Sequence, residues 1–363
     1  MFIPYVNLEK QWKEERNFLL PIIDKVLNSG QYVGGDQIDK FENNICKKFK
    51  SKYCVALNSG TDALTLALYV LGIKKGDEVI TTPNSFIAST AVIVHLGAKP
   101  VFVDVKKDQN IDTEKIESAI TKKTKVIMPV HLTGRMCEMD KILKIAKKNN
   151  LLIVEDAAQS IGSKYKNIFS GNYGNIGCFS THPLKNLNAT GDGGFIVTSN
   201  KSLFQKIQSL RSHGIANRNK VKHFGYVSRM DNLQAAILNF RLKKLNKIIS
   251  LRRLNAEKYI KNINNPKIFI TKENLNTFNT FHTFVIQTKF RKKLIKHLEE
   301  NKIGTAIHYP VPIHLQPASK FLGYKKGDFP IVEQQAKQIL TLPINQYLKK
   351  DEVEKIINVI NKF

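Results

Sequence analysis

A chain of 363 residues, 42% of them hydrophobic, is long enough for a large domain plus a smaller one and can bury a sizeable core, which excludes disorder as its ordinary state. Lys and Arg number 57 against 30 Asp and Glu, a formal charge of +27, but the basic residues fall in short groups along the whole length (KKFKSK, TKKTK, FRKK) and not in the arm or stripe of a nucleic-acid footprint, so no nucleic-acid binding is expected. Cysteines at positions 46, 54, 137 and 178 form no CxxC pair and no zinc-type spacing, the N-terminus has no signal-peptide pattern, and the longest apolar run, at 87–96, is too short for a membrane span; reduced thiols, no metal, no membrane and a cytoplasmic location are expected.

Residues 8–27 read as a helix, followed by a GQYVGG loop at 30–35 and a second helix over 36–49. From there apolar runs alternate with helix-periodic stretches. YCVALNS, DEVITTP, KPVFVDV, TKVIMPV, LLIVEDA, CFST and GGFIVTS read as strands; GTDALTLALYVLG, FIASTAVIVHLG and MDKILKIAKKNN read as helices. This order predicts an α/β fold with a mostly parallel central sheet covered on both faces, and ligands at the carboxyl ends of its strands. Residues 233–260 are one long helix-periodic stretch. It leads into a small α+β unit built from IFITKENL, TFHTFVIQTK, RKKLIKHLEENKI and DEVEKIINVINKF. We therefore expect a large domain over 1–245 and a small C-terminal domain over 246–363.

Three places could carry chemistry. NSGTDALTLAL puts Gly60 and Thr61 between a strand and a helix, where free N–H groups can cradle a phosphate or simply form an N-cap turn. VEDAAQS puts Asp156 at a strand end, with Gln159 three residues on; the carboxylate can pair with a protonated ring nitrogen or cap a helix. CFSTHPLKNLNATGDGG puts Lys185 in a loop between two strand-like runs, with Ser180 before it and Gly191, Gly193 and Gly194 after it. An amine in a partly desolvated cleft has a lowered pKa and can attack a carbonyl. A phosphate cradle, an acid and a lysine are the three handles that pyridoxal phosphate needs.

In that order these motifs resemble those of the DegT/DnrJ/EryC1/StrS family of sugar aminotransferases. The resemblance runs from SGQYVGG through SGTDAL, TTPNSFIAST, GAKPVFVDV, VEDAAQSIG and FSTHPLKNLNATGDGG to SRMDNLQAAIL, HYPVPIHLQP and LTLPI. It implies the type I, aspartate-aminotransferase-like fold and pyridoxal 5'-phosphate as cofactor. It implies that Lys185 is the Schiff-base lysine and proton shuttle and that Asp156 pairs with the pyridine nitrogen. Gln159 would contact the ring hydroxyl, Phe86 would stack on the ring, and Gly60, Thr61 and Ser180 would hold the phosphate. His308, Tyr309 and His314 fall where sugar-nucleotide contacts are made, with packing roles as the other reading. The family forms homodimers with active sites at the interface, and residues 213–229 would reach the partner's site. One position departs from the pattern: the family's G-x-N-x-R, whose asparagine reaches the partner's cofactor phosphate, reads GYVSR here, with Val227 in the asparagine's place.

The implied reaction is ping-pong transamination, with glutamate as donor and a nucleotide-linked keto-hexose as acceptor. GDGG after the lysine resembles the branch acting on 3-keto-6-deoxy sugars more than the GEGG of the 4-keto branch. A sugar dehydratase and a non-enzymatic regulator are the alternatives. Lys185 opposes the dehydratase, where histidine replaces lysine, and the lack of a basic arm opposes the regulator.

Overall fold

The computed structural model describes residues 2–217 and 219–363. Two helices come first, α1 (Leu8–Asn28) and α2 (Asp36–Phe49). Asn7 starts α1 by accepting the Lys10 N–H at 3.0 Å. In α2 the apolar residues Ile38, Phe41, Ile45 and Phe49 recur every three or four positions and form its buried face.

A run of alternating elements follows: β1 (Tyr53–Leu57), α3 (Gly60–Val70), β2 (Glu78–Thr81), α4 (Ala88–His95), β3 (Lys99–Phe102), β4 (Thr124–Ile127), α5 (Met139–Lys148) and β5 (Leu152–Asp156). After a short hairpin, β6 (Lys164–Tyr165) and β7 (Ile168–Phe169), come β8 (Ile176–Ser180), β9 (Gly194–Thr198) and α6 (Lys201–Leu210). The seven strand runs read from the sequence lie in one seven-stranded sheet of order β1-β9-β8-β5-β4-β2-β3. Pairs among β8, β5, β4, β2 and β3 are parallel. β9 runs antiparallel to both of its neighbours, so the sheet is mixed. The reason is the β8–β9 connection: residues 181–193 contain no helix to carry the chain back across the sheet, so it returns in the opposite direction.

Period-two alternation divides the sheet's side chains between two cores. Val55, Leu57, Cys178 and Ile196 pack with α3 on one face. Cys54, Ala56, Phe179, Phe195 and Val197 pack with α2 on the other.

The remaining elements are a second small hairpin, β10 (Ile215–Asn217) and β11 (Lys220–Val221), then the long α7 (Asn232–Asn262), β12 (Phe269–Ile270), β13 (Thr277–Phe278), β14 (Phe284–Gln287), α8 (Arg291–Glu300), α9 (Pro330–Gln338), β15 (Ile339–Leu342) and α10 (Lys350–Asn361). Strands β12, β14 and β15 form an antiparallel sheet, and β13 joins β6. The 31 residues of α7 span about 46 Å. Ala235, Leu238, Leu242 and Leu245 pack into the core shared with α2. Ala256 and Tyr259 pack instead with Phe284, Leu294 and Leu340 in a separate C-terminal core, which Ile3 also joins.

Where the sheet meets α3 three backbones touch. A Cβ on Gly60 would lie 2.7 Å from Ser180 Cβ, and one on Gly194 would collide with the Ser59 carbonyl and lie 2.6 Å from the Gly60 nitrogen. Backbone cannot yield as a flexible side chain can. Gly194→Ala is therefore expected to destabilise the protein by about 1–3 kcal/mol in denaturant unfolding. Gly191→Ala, whose added Cβ would meet only the end of the Gln234 side chain at 3.4 Å, should stay within about 0.5 kcal/mol of the parent.

Candidate active site

A cavity of about 390 Å³ opens at the carboxyl ends of β1, β5 and β8. Its floor comes from strand ends and its walls from loops. Helix α3 points its N-terminus into it. Ser59 caps that helix by accepting the Asp62 N–H at 3.0 Å, and the Ser59 carbonyl takes the Ala63 N–H. The amides of Gly60 and Thr61 then have no acceptor among the described residues, and both residues line the cavity. Ser180, at the end of β8, stands directly over Gly60 and lines the same wall.

Asp156 ends β5 and is 4% exposed. Its Oδ2 accepts from Ser89 Oγ at 2.6 Å and its Oδ1 from the Ala158 N–H at 3.2 Å. Alternation along the strand sends its neighbour Glu155 to the opposite face. There Glu155 bonds His131 Nε2 at 2.9 Å and accepts the N–H groups of Gly171, Tyr173 and Gly174 at 2.7–2.8 Å. This buried carboxylate fixes the strand end that presents Asp156.

Lys185 lies in the 181–193 return and projects into the cavity, half-buried. Burial pushes its amine down to about 8, with the Asp156 charge opposing the shift. No salt bridge joins the two among the described residues, so the carboxylate acts through space. The loop is held from behind by a buried polar network. Asn188 exchanges hydrogen bonds with Gln11 of α1, each 3.0 Å. Arg241 of α7 donates to the Asn188 and Ala189 carbonyls at 2.8 and 3.1 Å, and its Nε meets Glu15 Oε2 at 2.8 Å.

Of the other residues read from the sequence, Gln159, Phe86, His308 and Tyr309 also line the cavity. Gln159 Oε1 accepts the Thr133 N–H at 2.8 Å. The Phe86 ring is 57% exposed, 6.2 Å from the Tyr309 ring. His308 Nδ1 lies 3.0 Å from Thr341 Oγ1; burial, reinforced by the Lys185 charge, pushes its pKa down to about 4. Burial and the Asp156 charge push the Tyr309 phenol up to about 12. The structure does not bring His314 to this cavity. It is buried on a 3-10 turn against Phe329, with Nε2 3.1 Å from Glu333 Oε1. In the 213–229 segment, where Arg218 lies outside the described residues, Val227 bridges Ser212 and is 55% exposed.

Sequence reading missed Ser89, Gln11, Asn188, Arg252 and His282, all of which line the cavity. Ser89 had a signal, since it stands three residues after Phe86 at a helix start and shares its face. Arg252 had one too. It falls in the buried stripe Leu245, Ile248, Ile249, Arg252, Asn255, Ala256 and Tyr259, where a charged residue is out of place.

The DegT/DnrJ/EryC1/StrS aminotransferase family model matches residues 13–361. The chain belongs to this family. It is 38% identical to the dTDP-3-amino-3,6-dideoxy-alpha-D-galactopyranose transaminase of Aneurinibacillus thermoaerophilus, over 99% of each chain. It is 35% identical to the dTDP-3-amino-3,4,6-trideoxy-alpha-D-glucose transaminase of Streptomyces venezuelae, over 99% of this chain and 96% of the relative. A Geobacillus stearothermophilus relative, 37% identical over 100% of this chain and 99% of its own, is named a pleiotropic regulatory protein. Among solved structures, S. venezuelae DesV in complex with a ketimine intermediate superposes with a TM-score of 0.97 at 35% identity, over 99% and 98% of the two chains. NtdA from Bacillus subtilis with bound cofactor PMP superposes with a TM-score of 0.89 at 31% identity, over 96% of this chain and 81% of that one. The fold is thus that of the family's aminotransferases.

Two outcomes follow from this geometry. In the apoprotein, acylation of Lys185 by an amine-selective reagent, quantified by mass spectrometry, should inflect near pH 8 and not in the usual lysine range. Asp156→Asn should move the inflection lower, because the lost carboxylate was raising it. Glu15→Ala leaves Arg241 buried without its counter-charge and should cost about 3–5 kcal/mol in denaturant unfolding. The double change Glu15→Leu with Arg241→Met should recover only part of that loss, since it removes the unpaired charge but leaves the Asn188 and Ala189 carbonyls without their donor.

Proposed function

We propose that this chain is a pyridoxal-phosphate aminotransferase that moves an amino group from glutamate to a nucleotide-linked keto-sugar. The observation that carries the reading is a lysine amine pushed down to about 8, set in one cavity with a strand-end carboxylate and a helix N-terminus bearing free amides. The residues fit the cofactor. Gly60 lacks the Cβ that would fill the space under Ser180, so an anion can approach the α3 amides, and Phe86 offers an exposed aromatic face over the cavity.

In this reading the α3 amides of Gly60 and Thr61, with the Ser180 hydroxyl, hold the phosphate. Asp156 pairs with the pyridine nitrogen, and Ser89 and the Ala158 amide keep that carboxylate aimed. Gln159 faces the ring hydroxyl, and Phe86 covers the ring. When bound, pyridoxal phosphate supplies an electron sink for the carbanion formed at Cα. Lys185 anchors the cofactor, and on release its Nζ takes the Cα proton of the donor and returns a proton on the far side of the transfer. Its lowered pKa keeps a usable share of free amine near neutral pH, which general-base work requires. His308, kept neutral by burial, and Tyr309 line the substrate side.

A 3-keto sugar as acceptor is supported by the two transaminases named above, whose products carry nitrogen at C3. The formal charge of +27 favours encounter with a diphosphate-bearing substrate. Pairing into a homodimer that shares active sites is supported by the apolar side chains left exposed at 221–227, among them Phe224 at 97%. Val227 offers no hydrogen bond to a partner's cofactor, a loss of about 1.5–3 kcal/mol relative to a charge-assisted contact. The dehydratase and regulator readings gain nothing from this site, since a half-buried lysine of lowered pKa serves neither.

The test uses the purified, cofactor-loaded protein with glutamate and a panel of 3-keto and 4-keto sugar nucleotides. We expect 2-oxoglutarate release coupled to amination of a 3-keto substrate, and a loss of about 10³-fold or more in Lys185→Ala. Keto-deoxysugar formation without 2-oxoglutarate would support dehydration instead.

A further inference from the structure

A phenol taken out of water ordinarily keeps its O–H bonded, because an unpaired hydroxyl costs free energy to bury. The tyrosines packed elsewhere in this chain follow that rule. Tyr259 donates to the Pro343 carbonyl at 2.8 Å, Tyr165 donates to Asp140 Oδ1 at 2.6 Å, and Tyr324 accepts the Phe102 N–H at 3.2 Å. Tyr5 does not. It is half-buried in the lining of the catalytic cavity, and its hydroxyl has no hydrogen-bond partner among the described residues. Burial pushes the pKa of this phenol up, with the Arg252 charge opposing the shift and Tyr309 adding to it. The group therefore stays protonated, as both a donor and an acceptor.

The backbone around Tyr5 is fixed from both sides. Ile3, 2% exposed, pairs with Ile303: its N–H meets the Lys302 carbonyl at 2.8 Å, and its carbonyl takes the Gly304 N–H at 2.9 Å. A Cβ on Gly304 would lie 3.1 Å from the Tyr5 nitrogen, so the missing side chain lets this arm lie close. Asn345 Nδ2 donates to the Tyr5 carbonyl at 3.4 Å, and two residues on Asn7 caps α1. The Tyr5 ring then stands 5.7 Å from that of His308, His308 stands 5.5 Å from Tyr309, and Tyr309 stands 6.2 Å from Phe86. Four rings thus follow one another along the lining, from Phe86 at one end to Tyr5 at the other. This wall carries no charge: burial holds His308 neutral and keeps the protons on both phenols.

We propose that Tyr5 is a further substrate-binding residue, whose phenol hydrogen-bonds a hydroxyl of the acceptor's sugar ring as that ring lies against the His308–Tyr309 stretch of the wall. This rests on the reading of the acceptor as a nucleotide-linked keto-sugar. Two features favour the sugar ring over the other parts of the substrates. A neutral aromatic surface suits the apolar C–H face of a pyranose and offers nothing to a diphosphate, which calls for cations or backbone N–H groups. A phenol presents one donor together with acceptor capacity, the same pair that a ring hydroxyl presents, whereas the carboxylates of glutamate only accept. The rigid hold on residues 3–7 keeps the hydroxyl in one place, so it can discriminate between sugars and not merely tolerate them.

The experiment measures binding to the cofactor-loaded protein by calorimetry. The probes are dTDP-glucose and UDP-glucose, which carry no ketone and so bind without reacting, and free dTDP and UDP. The quantity read is the affinity for each sugar nucleotide divided by that for its free nucleotide. Tyr5→Phe, which keeps the ring and loses the O–H, should lower this ratio about 5- to 10-fold, the scale of one neutral hydrogen bond. Tyr5→Ala should lower it further, while free dTDP and UDP move by less than about twofold in both variants. An unchanged ratio in Tyr5→Phe overturns the assignment. Equal weakening of the free nucleotides would make Tyr5 part of a nucleotide site and overturns it as well. So does a raised half-saturation for glutamate in the donor half-reaction with the ratio unmoved. Loss of the cofactor's visible band in both variants would make Tyr5 structural and overturn it too. If wild type aminates no member of the keto-sugar panel, the acceptor reading falls on its own test, and the assignment with it.

Discussion

The contact of three backbones at Ser59–Gly60, Ser180 and Gly194 is the constraint on which the rest of this site depends. Each strand of the parallel part of the sheet ends at the same edge, but an edge alone holds no catalyst. Because Gly60 and Gly194 lack side chains, β9 can pass against the start of α3 and pair with β1 and β8. That return forces residues 181–193 to loop over the strand ends, with Lys185 at their centre. A β-carbon at either glycine would push β9 or Ser180 off the helix terminus, opening the amide cradle and moving the lysine together.

Around that contact the lining holds Asp156, kept in place by Ser89 and the Ala158 amide, and Asp192, together with Lys185, Arg252 and the neutral rings of His282 and His308. The lysine is depressed by burial and only partly restored by the acid, which leaves it basic enough to take a proton and neutral enough to attack a carbonyl. Of the two carboxylates in the lining, Asp156 and Asp192, it is Asp156 that raises the amine's pKa.

Much of this was legible in the sequence, for identifiable reasons. The strands of the central sheet showed because buried parallel strands read as unbroken apolar runs. Asp156 and the Gly60 turn showed because each sits at a strand end, and Lys185 because it lies in a short polar, glycine-flanked loop between two strand runs. The antiparallel course of β9 was hidden, since direction depends on how a connection travels in space and not on composition. Gln11 and His282 were hidden because they reach the cavity from α1 and the 280–282 segment, far from the lysine loop in the chain, and Arg241 of α7, which holds that loop from behind, was hidden for the same reason. His314, singled out among the histidines by its motif, lies instead against Phe329 and Glu333.

These distant residues explain how so precise a loop survives without regular structure of its own. The 181–193 return has few backbone ladder bonds, so its shape is set by side chains on rigid helices. Gln11 and Glu15 on α1 and Arg241 on α7 clamp the Asn188–Ala189 stretch, and the Thr280 carbonyl catches Asn186. Helix α7 is the common member: Arg241 grips the lysine loop from its first half, and Arg252, about 16 Å further along the axis by helix rise, grips the 280–282 segment that catches Asn186. One helix running between two hydrophobic cores therefore holds both the lysine loop and the 280–282 segment, so their spacing is set by a rigid rod.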